Sequence, residues 1–230
     1  AIAPQITKTY ANGEMEHYKT LVYTGSKLEI FLIYFIMIPF LFRTEYIMQI
    51  WLGDSLPPYT VEFSRCIVFI SLLYAAFEPI RTAVLATNKI RNFMLIPESF
   101  YLLVLPTSYF CYQLSQNAIW LMISIVTMDI LTACVRVYCG SKVSVLRIQD
   151  ILKSILLPAI YVGGISCTGC FFLNLICDNN LLGMCLLLIV NSLLLLTIIY
   201  LIGLSKSERN LVNKTFLKIR PNKFTIKSRN

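Results

Sequence analysis

The chain has 230 residues, 57% of them hydrophobic and only 14% charged, with a formal net charge of +8 and a mean hydropathy of +0.70. Soluble domains carry roughly 25% charged residues, so this chain has too few charges to give one core of its size a polar coat in water. The balance excludes a water-soluble domain and points to lipid as the solvent.

In chain order, residues 1–20 read as a polar cytoplasmic loop, followed by six apolar stretches of about 20 residues each, the length a bilayer requires. These are 21–42, 66–86, 93–114, 118–139, 151–176 and 181–204, and residues 205–230 form a basic tail. Membrane-barrel strands are excluded, because they would be about ten residues long and would alternate apolar with polar, whereas 181–204 is apolar on all sides. The fold class is therefore an all-α integral membrane protein with about six transmembrane helices. Within the first stretch, Lys27 and Glu29 are expected at the interface with their stems snorkelling. With no Met at position 1 and an opening Ala1-Ile2-Ala3-Pro4, the chain is expected to be a fragment that continues an earlier helix.

Charge orients the spans, since short loops rich in Lys and Arg stay cytoplasmic. Lys8, Lys19 and Lys27, then Lys89 and Arg91, then Lys142, Arg147 and Lys153, and finally the tail fall on alternate connections. The opposite connections, 44–65, 115–117 and 177–180, hold only Arg43 and Arg65 as flanking cations beside Glu45, Asp54, Glu62 and Asp178. Both termini are thus expected on the cytoplasmic side, and the tail reads as a topology anchor near anionic headgroups rather than a nucleic-acid site. In the external connection, Ile47, Met48, Ile50, Trp51 and Leu52 predict a short helix lying at the headgroups, ended by Pro57 and Pro58. Between the fourth and fifth spans, Val143, Leu146, Ile148, Ile151 and Leu152 predict a similar amphipathic segment on the inner side.

Eight cysteines include a CxxC at Cys167 and Cys170. Zinc would want a second ligand pair, and the sole histidine, His17, lies far away, so no metal is expected. Together with Gly163, Gly164, Ser166 and Gly169 the pair forms a run of small residues that lets helices approach closely in lipid.

Ionisable residues inside spans carry most of the functional signal, because a charge at the bilayer centre costs about 3 kcal/mol. Arg65, Arg81 and Arg136 are candidate contacts for a phosphate or diphosphate, whose oxygens suit guanidinium. Glu78, Glu98 and Asp129 are candidate carriers of a coupling proton or sodium ion. Pairing between these acids and arginines is the competing structural reading, with Glu78 and Arg81 three apart on one face and Asp129 and Arg136 seven apart. No catalytic residue and no other cofactor is expected. Prolines at 39, 79, 97, 106 and 158 predict bends.

Four motifs in order carry a family resemblance. Ala3-Pro4-Gln5-Ile6-Thr7-Lys8-Thr9-Tyr10-Ala11-Asn12-Gly13-Glu14 resembles a cytoplasmic loop in the later half of bacterial polysaccharide transporters of the multidrug/oligosaccharidyl-lipid/polysaccharide exporter superfamily. Glu45-Tyr46-Ile47 with Trp51-Leu52-Gly53 is similar to that branch's next external segment. Ala86-Thr87-Asn88-Lys89-Ile90 resembles its A-T-G-K-I turn, with Asn88 where Gly is usual, and Gly203-Leu204-Ser205-Lys206-Ser207-Glu208-Arg209 resembles its closing motif. The resemblance implies most of the C-terminal bundle of a fourteen-helix, two-bundle transporter in a bacterial inner membrane. It also implies a flippase for undecaprenyl-diphosphate-linked oligosaccharide units used in O-antigen, capsule or exopolysaccharide assembly. The expected partners are that lipid-linked sugar, membrane lipids, the missing N-terminal half of the chain and other assembly proteins. Two alternatives remain open: a drug or cation antiporter of the same fold, and a membrane polymerase or glycosyltransferase. The latter would want clustered acids or histidines in a sizeable extramembrane loop.

Overall fold

The structure is a computed structural model, and it describes residues 2–206, 208–210, 212 and 213, without the side chain of Asn92. The expected tail beyond 213 lies outside the described residues. Among those described there is no strand, and six helical segments are long and apolar enough to cross a membrane. The protein is an all-α, multi-pass membrane protein.

The first 20 residues are more ordered than a loop. Helix α1 (Ala3–Ala11) is followed by a tight turn in which Gly13 takes φ +78°, a conformation that favours glycine, and α2 (Met15–Leu52) starts two residues later. The chain folds back here because α1 has an apolar side to bury: Ile6 is 1% exposed, and the ring of Tyr10 packs 5.3 Å from that of Tyr18. Tyr18 is itself fully buried and donates its hydroxyl to the Ala83 carbonyl at 2.8 Å, so α1 and the start of α2 are fastened to α3 (Thr60–Ala86).

The connection read as 44–65 is also largely helical. α2 runs on to Leu52 through a kink at one non-helical residue, Arg43 (φ −116°, ψ 21°), four residues after Pro39, so 44–52 form the expected short helix, joined to the end of the first span without a loop and with Ile50, Trp51 and Leu52 exposed. Gly53, at φ +89°, ends it, five residues before the second of the two prolines expected to do so. The second span starts at Thr60 rather than Cys66. The third is broken into α4 (Arg91–Tyr101) and α5 (Val104–Ser115). Pro106 has no N–H to offer the Leu102 carbonyl, and Leu102 and Leu103 close tighter bonds to Ser99 and Phe100 three residues back. Asn88 adopts φ 59°, the left-handed turn that Asn tolerates in place of Gly.

α6 (Ala118–Val143) extends four residues past its expected end. After it, the amphipathic segment is divided: Leu146 and Ile151 are each 1% exposed and turn into the bundle, whereas Ile148 and Leu152 are 37% and 47% exposed. The fifth span comprises α7 (Ile148–Ile151), a π turn over Leu152–Leu156 and α8 (Leu157–Ile176). Pro158 again supplies the cause: its ring crowds the Ser154 carbonyl, and Leu157 reaches back five residues to Leu152 instead of four. The last span, α9 (Leu181–Ile198), ends in a second π turn over Ile199–Gly203.

Helix α2 is the axis of the assembly. It packs on α3 to one side and on α8 and α9 to the other, and α3 hands on to α6, which carries α4 and α5. Half the residues in the most apolar window of α2 are buried, against 17–28% in the other five spans, so those five present most of their surface to lipid or to further protein.

The run of small residues in α8 brings it against α2 and α9. A Cβ on Gly163 would sit 2.9 Å from the Tyr34 hydroxyl, and one on Gly169 would sit 2.8 Å from Leu194, whereas one on Gly164 would meet nothing within 4 Å. Gly163→Ala is therefore expected to cost about 1–3 kcal/mol through overpacking, while Gly164→Ala is neutral or stabilising by up to about 1 kcal/mol. Thermal unfolding of the two variants in detergent, measured side by side, checks the contrast.

Candidate functional site

Five of the six candidate residues converge where α3, α4 and α6 meet. Tyr74, Glu78 and Arg81 follow one another at intervals of four and three along α3, and Asp129, Thr132 and Arg136 do the same at three and four along α6, so each set shares a helix face. Glu98 and Tyr101 on α4 complete the seam. Arg136 reaches Glu98 at 2.7 Å, with its guanidinium 5.5 Å from the centre of the Tyr74 ring. Arg81 holds Glu78 through both carboxylate oxygens, at 2.9 and 3.2 Å.

Asp129 does not pair with Arg136. It is 6% exposed and accepts the hydroxyl of Tyr101 in a short contact and that of Tyr74 at 3.4 Å, while Tyr74 and Tyr101 also share a short hydroxyl contact. Oδ2 of Asp129 and the hydroxyl of Thr132 are buried without a protein partner, and both residues line a cleft with about 10 Å³ for the centre of a water-sized sphere. That is room for about one water. An adjoining cleft of about 20 Å³ runs on past Tyr74 and Arg136 to Glu78 and Arg81. Two ion pairs and a buried carboxylate thus lie along one seam, whose walls also hold Phe77, Ile80, Phe93 and Val137.

Arg65, the sixth candidate, is elsewhere. It donates Nε to the Thr44 hydroxyl at 3.1 Å, beside the turn in α2 at Arg43. Arg43 is 3% exposed and buried among acceptors: Nη2 donates to the Cys177 carbonyl at 2.6 Å, and Nη1 to the Asp178 carbonyl at 3.2 Å and, in a short contact, to Asn179 Oδ1. The guanidinium takes up the carbonyl that α8 leaves unpaired at its end, a favourable place for a cation.

At the opposite end of α2, Lys27 is 5% exposed and pairs with Glu208 at 2.6 Å. This replaces the snorkelling expected for Lys27. Glu208 also accepts the Thr24 hydroxyl at 2.7 Å and the Ser205 N–H at 2.7 Å. Burial acts to raise the Glu208 carboxyl pKa, but the bonds from Lys27, Ser205 and Thr24 outweigh it and hold the group below its ordinary value. Both π turns border the same pocket of about 330 Å³, which Lys27, Lys153, Tyr23 and Glu208 also line.

Sequence reasoning missed Glu208, Arg43, Tyr74 and Tyr101. Ser205-x-x-Glu208 is a capping-box spacing and was a readable signal for the first, whereas nothing in the local pattern marks the other three. Among the described residues no group of three or more His, Cys, Asp or Glu side chains is placed to hold a metal ion. No model of a known protein family, no curated protein and no solved structure matches the chain.

Proposed function

We propose that the chain is the later half of a flippase that carries undecaprenyl-diphosphate-linked oligosaccharide units across a bacterial inner membrane. The observation that supports this reading is the polar seam between α3, α4 and α6, set inside spans whose other residues are overwhelmingly apolar. Ionisable groups inside a membrane are expensive and mark substrate and ion pathways. A sugar headgroup cannot cross hydrocarbon unaided, so it needs such a wet path between bundles that open to one side at a time.

In this mechanism Arg136 and Arg81 exchange a carboxylate partner for diphosphate oxygens, which guanidinium binds with the same two-pronged geometry. The exchange is easiest at Arg81, because its pair with Glu78 is about half exposed (44% and 52%) and so within reach of a ligand outside the bundle. A carboxylate released by the exchange, Glu98 or Glu78, is then free to take up a proton, and Asp129 retains an unpartnered oxygen for a proton or sodium ion. That couples occupancy by substrate to movement of the driving ion. The basic connections and tail lie on the cytoplasmic side in this reading.

Deleting the full-length gene is expected to abolish surface polysaccharide while lipid-linked repeats accumulate on the cytoplasmic leaflet. Normal surface glycan in a strain without a redundant transporter would refute the assignment. Export of small cationic drugs with no change in glycan would indicate the antiporter alternative. Arg81→Ala is expected to reduce export several-fold in a normally inserted protein, measured as surface glycan per transporter copy.

A further inference from the structure

The connection around Arg43 and Arg65 encloses a second polar region, separate from the seam. A pocket of about 410 Å³ opens there between α2, α3 and the end of α8, large enough for a small-molecule ligand. Its wall holds two cations, Arg43 and Arg65, three amides, Gln49, Asn174 and Asn179, and one acid, Glu45. Arg43 is more than nine-tenths buried and its Nε, which has no partner, is sealed from the pocket, so Arg43 gives the wall a charge rather than a free donor. Arg65 uses only Nε internally, and the amides of Gln49 and Asn174 bond no side chain or backbone group among the described residues.

Such a lining selects the ligand by chemistry. An inorganic anion would satisfy the guanidiniums but meet Glu45 as a like charge, and a neutral sugar would suit the amides and Glu45 but leave the buried cation without a counter-charge. A molecule with phosphate oxygens at one end and hydroxyl donors at the other satisfies both. The Tyr46 and Phe42 rings, also in the wall, offer apolar faces to a sugar ring.

We infer that this pocket binds a phosphorylated carbohydrate, with its phosphate on the unpartnered Nη groups of Arg65, beside the Arg43 charge, and its hydroxyls on Gln49, Asn174 and Glu45. The inference rests on the transporter reading only for the source of the ligand, which would be the lipid-linked sugar at the far end of its path.

Glucose 1-phosphate, glucose and inorganic phosphate are titrated onto the full chain in phosphatidylcholine nanodiscs, with Arg65→Gln and Asn174→Leu beside the wild type. Glucose 1-phosphate is expected to bind at least tenfold more tightly than either fragment. Arg65→Gln should reduce it to the level of glucose, and Asn174→Leu should weaken it several-fold. Stronger competition by undecaprenyl-phosphate glucose held in the disc would identify the lipid-linked form, and equal competition would identify the free ester.

Three results would overturn the inference: no binding of glucose 1-phosphate, binding no tighter than that of phosphate, or displacement by phosphatidylglycerol mixed into the disc. The last would mark a lipid-headgroup site. If Arg65→Gln does not fold, the comparison of the three ligands on the wild type decides alone. Normal surface glycan in a deletion strain would remove the transporter reading while leaving this binding result standing. Absent binding in a protein that export requires would remove this site alone.

Discussion

Glu208→Ala is expected to destabilise the protein by about 3–5 kcal/mol, the usual cost of removing one member of a buried ion pair. Lys27 is 5% exposed and would remain charged without its counter-ion, near a second cation, Lys153, on the same pocket wall, and Thr24 would lose the acceptor of its 2.7 Å hydrogen bond. The capping interaction with the Ser205 N–H disappears in the same step. Removing both charges while keeping an acceptor at the cap should recover most of the loss, so Lys27→Met with Glu208→Gln is expected to unfold close to wild type. Chemical denaturation in mixed micelles across the four members of the cycle reads both results. An additive double variant would show that the two groups do not stabilise each other. The pair also predicts a pH dependence with a definite sign. The folded carboxyl sits below its ordinary value near 4.5, so its contribution is fully present above that value and is lost as pH falls through the lower, folded one. Wild type should lose stability at acid pH more steeply than the double variant.

Arg136→Ala has the second large effect, and it separates structure from transport. Arg136 binds Glu98 of α4 at 2.7 Å and stacks near Tyr74 of α3 while standing on α6, so one side chain ties three helices. Its loss leaves a carboxylate in a span, at a cost bounded by about 2.5–3.5 kcal/mol before the group protonates. Glu98 is 55% exposed, and inside a span that surface faces lipid or further protein, so the exposure does not lower the bound. Arg136→Ala with Glu98→Gln should therefore be nearly as stable as wild type. If the proposed role is right, export in that stable double variant still falls at least tenfold, because the diphosphate partner is gone. Arg136→Lys keeps the charge but not the planar fork or the stacking, and should export at an intermediate level. Wild-type export by the stable double variant would make Arg136 a purely structural tie.

The stretches that cross the membrane were readable from composition because burial in lipid is a property of a whole segment. About 20 apolar residues suffice, whatever they later touch. Their breaks were also local: Pro106 splits the third span and Pro158 widens the fifth, each through a missing N–H and a crowded carbonyl. In the amphipathic segment after α6, Leu146 and Ile151 turn inward while Ile148 and Leu152 stay exposed, a division that spacing does not report, since headgroups and a bundle interior both accept an apolar side chain.

Partners were a different matter. Glu208 lies 181 residues from Lys27, Arg43 135 residues from the Asp178 carbonyl it holds, and Glu98 38 residues from Arg136. Which charge meets which depends on how each helix is rotated about its axis. In a span apolar on every side, such as Leu181–Ile198, no stripe reports that rotation. Close approach set it instead, through contacts such as Gly163 on Tyr34 and Gly203 on Phe31. Segment identity thus followed from the chain alone, whereas the polar seam, the buried pair at Lys27 and the pocket at Arg43 arose only when packing fixed the helix rotations.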